Sequence, residues 1–408
     1  MSASPPYMEK VTARGERGIG TGYGRFIAAV ATSFYGDWFT TVALLVAVYQ
    51  LSPGPVAPAL FTLVRLAPRL VASTPGGHLA DRVNPGLLTA LTSAVQATAT
   101  LALVAAVTAG SLPLIYVLVA VSSFLGALAR PAHMPIITAL VPAERRPRAN
   151  AQYGSTFSLS LAVAPALAGA VVALTGPRLL LLLDAASFLV AAGLLISLPL
   201  RRPRTQTAPP SPRRGSAAHT VLAQPFLRLV AAGGFAGGLC ATAAQAVLVV
   251  GAADRFGGAS HVGFLYGAVG AGAAAGTLLS ARLQPASITR ATIAVWALVE
   301  VGALAVVAIT PSVALAVVAL AANGAAAGLY QTWATTEVQR RVAPERLGSV
   351  AAFNLSALYL GWLLGAGMGI ALGGRLRWDH LLLVACAVAV ATLVVAAGAG
   401  RGARASRI

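Results

Sequence analysis

The chain has 408 residues, 57% of them hydrophobic and only 10% charged, with a mean hydropathy of +0.79 and a formal net charge of +18. A water-soluble domain is about 25% charged, so this composition excludes a chain that covers its own surface in water. The net charge would suit a nucleic-acid partner, but the placement of the basic residues removes the need for one.

In chain order, residues 1–24 are rich in Gly, Ser and Pro with mixed charges and read as a disordered cytoplasmic arm. The apolar run after them is too long for a cleaved signal and lacks its small-residue cleavage site. Twelve apolar spans follow, near 26–50, 56–80, 87–108, 113–134, 151–174, 179–200, 226–250, 261–281, 291–309, 312–334, 350–373 and 380–400. They repeatedly reach the ~20 residues that cross a ~30 Å hydrocarbon core. With the N-terminus inside, twenty-two of the 29 Lys and Arg fall on inner segments. Four lie outside (Arg178, Arg255, Arg375 and Arg377) and three within spans (Arg65, Arg69 and Arg130). The positive-inside rule produces this asymmetry, so the basicity is a topology signal. The expected setting is the plasma membrane, multi-pass, with both termini cytoplasmic.

The stretch RRPRTQTAPPSPRRGSAAHT at 201–220 cannot bury a core and reads as a solvated linker, 201–225. It divides six spans in 25–200 from six in 226–400, ahead of a cytoplasmic tail at 401–408. The halves repeat at an offset of about 200 residues. GGHLADRV at 76–83 lies over GTLLSARL at 276–283, and VPAERR at 141–146 over VAPERL at 342–347. Both landmarks sit on equivalent inner loops. Parallel six-span repeats about an axis along the membrane normal are a transporter design, with substrate held between the halves. The fold class expected is therefore all-α integral membrane, twelve transmembrane helices in two pseudo-symmetric six-helix bundles.

Gly77-His78-Leu79-Ala80-Asp81-Arg82, between spans 2 and 3, resembles the signature G-x-L-A-D-R-x-G-R-[RK] of the major facilitator superfamily. Asn84-Pro85-Gly86 stands where that signature carries Gly-Arg-Arg/Lys. SFYGDWFTTVALLVAVYQLS at 33–52, RPAHMPIITALVP at 130–142 and LLLDAASFLVAAGLL at 181–195 are similar to the drug:proton antiporter branch that includes macrolide-efflux and enterobactin exporters. The resemblance implies a gating role for Gly77, Asp81 and Arg82, with Asp81 meeting the N-terminus of span 11 near Leu347-Gly348-Ser349. A helix N-terminus carries about half a positive charge and free N–H donors, which suits such a contact. The alternative is a solvated Asp81–Arg82 loop pair. SLSLAVAPALAGAVV at 158–172 resembles the antiporter motif of span 5, with Pro165 and Gly169 in place and Ala164 and Ala168 substituting for glycines.

A charge in hydrocarbon costs at least about 2.5–3.5 kcal/mol, which makes each one a functional candidate. Asp37, mid-span 1, reads in two ways. It is either a proton or substrate site, since a low-dielectric setting disfavours the charged form of a carboxylate, or the structural ion-pair partner of Arg69. At 1.5 Å per residue both lie about 20 Å below the outer side, with Arg65 one turn above Arg69. Arg130 reads as a residue that snorkels to the headgroups or meets Asp81. Asp184 reads as shallow and structural, Glu300 as a lesser proton candidate on a peripheral helix, and Glu337 with Arg340 as a capping pair. Gln245, Asn323, Gln331 and Trp333 on spans 7 and 10 are candidate cavity contacts. Cys240 and Cys386 both lie inside spans, away from disulfide-forming surroundings.

The sequence offers no metal-binding acid or His cluster and no Walker-type phosphate loop, so it implies no cofactor, no metal and no enzyme. The expected function is secondary active export of a hydrophobic or amphipathic small molecule (a drug, antibiotic or siderophore-like metabolite) by proton antiport with alternating access. The expected partners are that substrate, protons and the lipid bilayer, with no nucleic acid, and the chain is expected to be a monomer. The alternatives are a facilitator or importer of a small metabolite and, from another class, a non-transporting membrane protein.

Overall fold

A backbone surrounded by hydrocarbon must satisfy its polar groups within the segment, which an α-helix does. The computed structural model describes residues 20–198, 214–283, 289–342 and 344–398, and no strand occurs among them. In chain order the helices are α1 (Thr21–Leu51), α2 (Val56–Arg82), α3 (Pro85–Thr108), α4 (Leu112–Ala129), α5 (His133–Leu140), α6 (Arg146–Thr175), α7 (Pro177–Ile196), α8 (Arg214–Ala223), α9 (Pro225–Arg255), α10 (Val262–Arg282), α11 (Arg290–Ile309), α12 (Val313–Arg341), α13 (Pro344–Leu372) and α14 (Trp378–Gly398). α4 and α5 together make the fourth span, α8 lies in the linker, and the others are spans in sequence order. Among the described residues, 11 spans are long and apolar enough to cross a membrane. The remaining span is α2, 27 residues long and carrying Arg65 and Arg69.

Three segments differ from expectation. α1 begins at Thr21, four residues inside the arm expected at 1–24, whose first 19 residues lie outside the described ones. The linker expected to be solvated contains α8, which packs on α9 and α13 and buries Val221 completely; residues 201–213 and the tail at 401–408 lie outside the described residues. The fourth span is broken by a 3-10 turn at Arg130–Ala132, where Pro131 has no N–H for the ladder.

The end of α2 explains the departure from the family signature. The Gly77–Arg82 stretch is the last part of a helix rather than a loop. Asn84 then caps α3: its Oδ1 accepts from the N–H groups of Gly86 at 2.9 Å and Leu87 at 3.1 Å, and Pro85 takes the first helical position. Asn and Pro are favoured at those places because they satisfy or dispense with orphan donors.

The twofold repeat of six spans is visible in which helices touch. In the first half α1 packs on α6 and α7, α2 on α4, and α3 on α4 and α7. Six spans later α9 packs on α13 and α14, α10 on α12, and α11 on α12 and α14. Two symmetric pairs join the halves, α6 with α10 and α2 with α13. A salt bridge closes one corner of the second bundle: Arg255 at the end of α9 meets Asp379 at 2.8 Å, donates to the Ala308 carbonyl of α11 at 2.7 Å, and lies over the Trp378 ring of α14.

The joints between the halves depend on small residues, which let helices approach closely where lipid supplies no hydrophobic driving force. Gly169 of α6 lies against Gly263 of α10, and a Cβ on Gly263 would enter the Pro165 carbonyl. Ala59 of α2 meets Gly369 of α13. All four residues lie near the ends of their helices that face away from the N-terminus of α1, so the halves are joined at that end.

Gly324 on α12 faces the Val269 carbonyl of α10 with no room for a side chain. Gly324→Val is expected to destabilise the protein by about 1–3 kcal/mol, read as a lowered thermal midpoint in nanodiscs. Gly302→Ala, at a position open to at least 4 Å, is expected to leave that midpoint unchanged or slightly raised.

Candidate functional site

Helical spacing brings the polar residues of the first bundle to one place. Arg65 and Arg69, four apart on α2, share a face, as do Ser33, Asp37 and Thr40 on α1. These faces line a cavity between the bundles with two adjoining lobes of about 410 and 400 Å³. Phe34, Asp37, Arg65, Arg69, Arg130 and Trp362 border both lobes. The first lobe extends into the N-terminal bundle, past Ser93 and Gln96 of α3 and Ser122 of α4. The second reaches the C-terminal bundle, past Gln245 of α9, Tyr266 of α10 and Asn323 of α12.

Asp37, Arg65 and Arg69 are thus brought together, as the sequence suggested, yet among the described residues no ion pair within 4.0 Å joins Asp37 to either arginine. Arg65 lies over the Trp38 ring, 5.9 Å from its centroid. The Asp81 side chain, one expected partner of Arg130, lies outside the described residues, and Arg130 does not reach out to a headgroup. It borders the cavity, 5.6 Å from the Phe34 centroid and 5.8 Å from that of Phe157. The break at Pro131 redirects the chain there, a local effect that hydrophobic periodicity does not register.

Asp184 is the residue that the sequence reading placed least well. It is 1% exposed, borders the first lobe, and accepts from Thr40 at 2.5 Å and Ser187 at 3.2 Å. It lies seven residues into α7, about 10 Å at 1.5 Å per residue, too deep to reach the outer interface. Gly36 allows α1 to pass against it, since a Cβ there would strike the carboxylate. The signal available was this glycine one residue before Asp37, but nothing in the sequence tied it to span 6.

Of the four neutral candidates, Gln245 and Asn323 border the cavity. Asn323 donates to the Glu300 backbone carbonyl at 2.8 Å. Gln331 is exposed away from the cavity. Trp333 is buried, donates to the Ser280 carbonyl at 3.4 Å and packs edge-on against Trp296. These two sit about two to three turns along α12 from Asn323, and Trp333 there faces α10 and α11. Glu300 is buried with its carboxylate against Gly237 of α9, outside both lobes. Glu337 pairs with Arg341 at 2.6 Å as well as with Arg340 at 3.7 Å. Pro165 and Gly169 lie in the joint between the halves. The side chains of Gly77, Asp81 and Arg82, and those of 347–349, lie outside the described residues. Among the described residues no His, Cys, Asp and Glu cluster fits a metal ion.

Thr40→Val removes one of two donors to a fully buried carboxylate. A loss of about 1–3 kcal/mol in stability is expected, with Thr40→Ser close to the parent protein; thermal unfolding of both variants in nanodiscs checks this.

The chain matches the family model described as Major Facilitator Superfamily over residues 26–366. It is 26% identical over 383 residues to the uncharacterized MFS-type transporter y4rN of Sinorhizobium fredii, covering 90% of this chain and 93% of that one. It is 28% identical over 193 residues to the uncharacterized MFS-type transporter YfiS of Bacillus subtilis, covering 47% and 45%. Its fold is shared with a bacterial homologue of the iron transporter ferroportin in its inward-facing state, at TM-score 0.71 and 14% identity, covering 93% of this chain and 98% of that one. It is also shared with an inward-facing bacterial homologue of the human lysosomal transporter Spinster, at TM-score 0.69 and 17% identity, covering 93% and 96%. At these identities the structural likeness speaks for the fold alone. With five-sixths of its length in the family match and a cavity lined from both bundles, the chain belongs to the Major Facilitator Superfamily and is a transporter of that type.

Proposed function

We propose that the protein exports an amphipathic small molecule (drug-, antibiotic- or siderophore-like) by alternating access, with proton antiport as the driving step. The observation that carries this reading is the cavity between the bundles. It has charged groups on one wall and uncharged groups on the other, mostly apolar and aromatic with a few neutral polar side chains, and the halves are joined by small residues at one end. Small residues let the helices of the two halves lie in close contact at that end. On this reading the protein sits in the plasma membrane as a monomer with both termini cytoplasmic. The joined end is then external, and the cavity belongs to a state facing the cytoplasm. Asp37 is the proposed proton carrier, bordering the cavity and, among the described residues, without a contact ion pair. Asp81 and Arg82 are proposed to take part in closing the cytoplasmic end. The resemblance of 33–52, 130–142 and 181–195 to the drug:proton antiporter branch supports export.

A second reading, uptake or facilitated passage of a small metabolite, has one observation in its favour: three arginines border the cavity, more basic groups than an exporter of neutral drugs requires. The two readings separate in a single assay. Accumulation of candidate compounds is measured in cells with and without the gene, before and after collapse of the proton gradient. Lower accumulation that depends on the gradient is the expected result. Higher accumulation, or accumulation indifferent to the gradient, favours the second reading. Asp37→Asn, at unchanged protein level, is expected to bring accumulation to that of cells lacking the gene. Loss of the protein itself in that variant would mark Asp37 as structural.

A further inference from the structure

We infer that the transported molecule carries an anionic group, held by Arg65, Arg69 and Arg130, with its apolar body against the C-terminal bundle. This rests on the reading that the cavity is the transport site and adds the chemical class of its occupant.

The argument begins with charge. Three guanidinium groups and two carboxylates, Asp37 and Asp184, border the two lobes, all on the N-terminal bundle. An arginine stays protonated under all ordinary conditions, so the wall holds an excess of at least one positive charge. Had the arginines served only to neutralise the carboxylates, contact pairs would be expected. The same chain forms them where charge is neutralised structurally: Arg255 meets Asp379 at 2.8 Å, and Arg341 meets Glu337 at 2.6 Å. None of the three cavity arginines forms such a pair among the described residues. Asp184 has its oxygens engaged by the hydroxyls of Thr40 and Ser187 and leaves the guanidinium groups to other partners.

The opposite wall differs in kind. The C-terminal bundle contributes no charged side chain to either lobe. It offers Leu248, Val269, Leu304 and Leu320 with the rings of Tyr359 and Trp362, and between them the neutral polar side chains of Thr242, Gln245, Tyr266 and Asn323. Thr242, Tyr266 and Asn323 already donate to the backbone carbonyls of Trp362, Gln245 and Glu300. A planar guanidinium binds a carboxylate, sulfonate or phosphate oxygen pair through parallel donors, while an uncharged, largely apolar wall favours a body with few unmet polar groups. A molecule satisfying both walls has an acidic head and a hydrophobic or aromatic remainder. A cationic amphiphile would set its charge against three others of the same sign.

The test is equilibrium binding of three near-isosteric probes, 4-hexylbenzoate, 4-hexylbenzamide and 4-hexylbenzylammonium, to the full chain in nanodiscs, with empty nanodiscs subtracted. It requires neither export nor a proton gradient, so it stands or falls separately from the cell assay. The benzoate is expected to bind most tightly, at least about tenfold tighter than the amide, the span of one good charge-assisted hydrogen bond. Arg65→Gln, Arg69→Gln and Arg130→Gln are each expected to weaken benzoate about tenfold while leaving the amide within about twofold. Arg69→Lys, which keeps the charge, is expected to recover part of the loss. Benzoate binding no tighter than the amide, including saturable binding of neither, would overturn the inference. So would a preference for the ammonium, or variants that weaken all three probes equally, the pattern of a purely structural role.

Discussion

The cost of placing charge in hydrocarbon organises this molecule. Arg65, Arg69, Arg130, Asp37 and Asp184 all lie within spans and all border the space between the bundles. In lipid each would cost several kcal/mol, so their common destination follows from the solvent as much as from any function. The consequence is a functional surface built from residues that the bilayer has sorted inward. The apolar outer faces, with Val71, Leu174, Leu278 and Val395 strongly exposed, are what such a molecule presents to acyl chains.

Packing supplies the second condition. Helices in lipid gain little from hydrophobic burial against one another and associate through close contact and hydrogen bonds. The joints within each half use that close contact, as at α10 and α12, where a glycine faces a backbone carbonyl. The joints between halves use the same device but involve chiefly α6 with α10 and α2 with α13 and α9. Each bundle thus coheres through several helix pairs, while the two bundles meet through few. That difference in extent is what a rocking transporter requires.

Much of this was legible in the sequence because hydropathy, basic asymmetry and an internal offset act over whole spans. Each of the twelve expected spans begins or ends within a few residues of the helix that forms. The site was legible in part. Asp37, Arg65 and Arg69 announced themselves as charges in apolar runs, and their equal depth followed from a 1.5 Å rise. Asp184 escaped because its depth was misjudged and because its partner, Thr40, is separated from it by 144 positions. Arg130 escaped because a proline break turns it inward, and Trp333 and Gln331 were misplaced because hydropathy gives the length of a helix but not its rotation about its axis. The cap at Asn84 shows the opposite case: read only against a family signature it is a loss of basic residues, whereas read for its donors and acceptors it is a helix start.

The cluster around Arg255 has a mechanical meaning. One guanidinium binds an acid at the head of α14, a carbonyl at the tail of α11 and an indole face, all from the end of α9. Three helix termini are thereby welded at a single vertex, as bars are at the node of a truss. The three helices are therefore tied at that vertex by one side chain, and on the alternating-access reading a tilt of α9 would carry α11 and α14 with it.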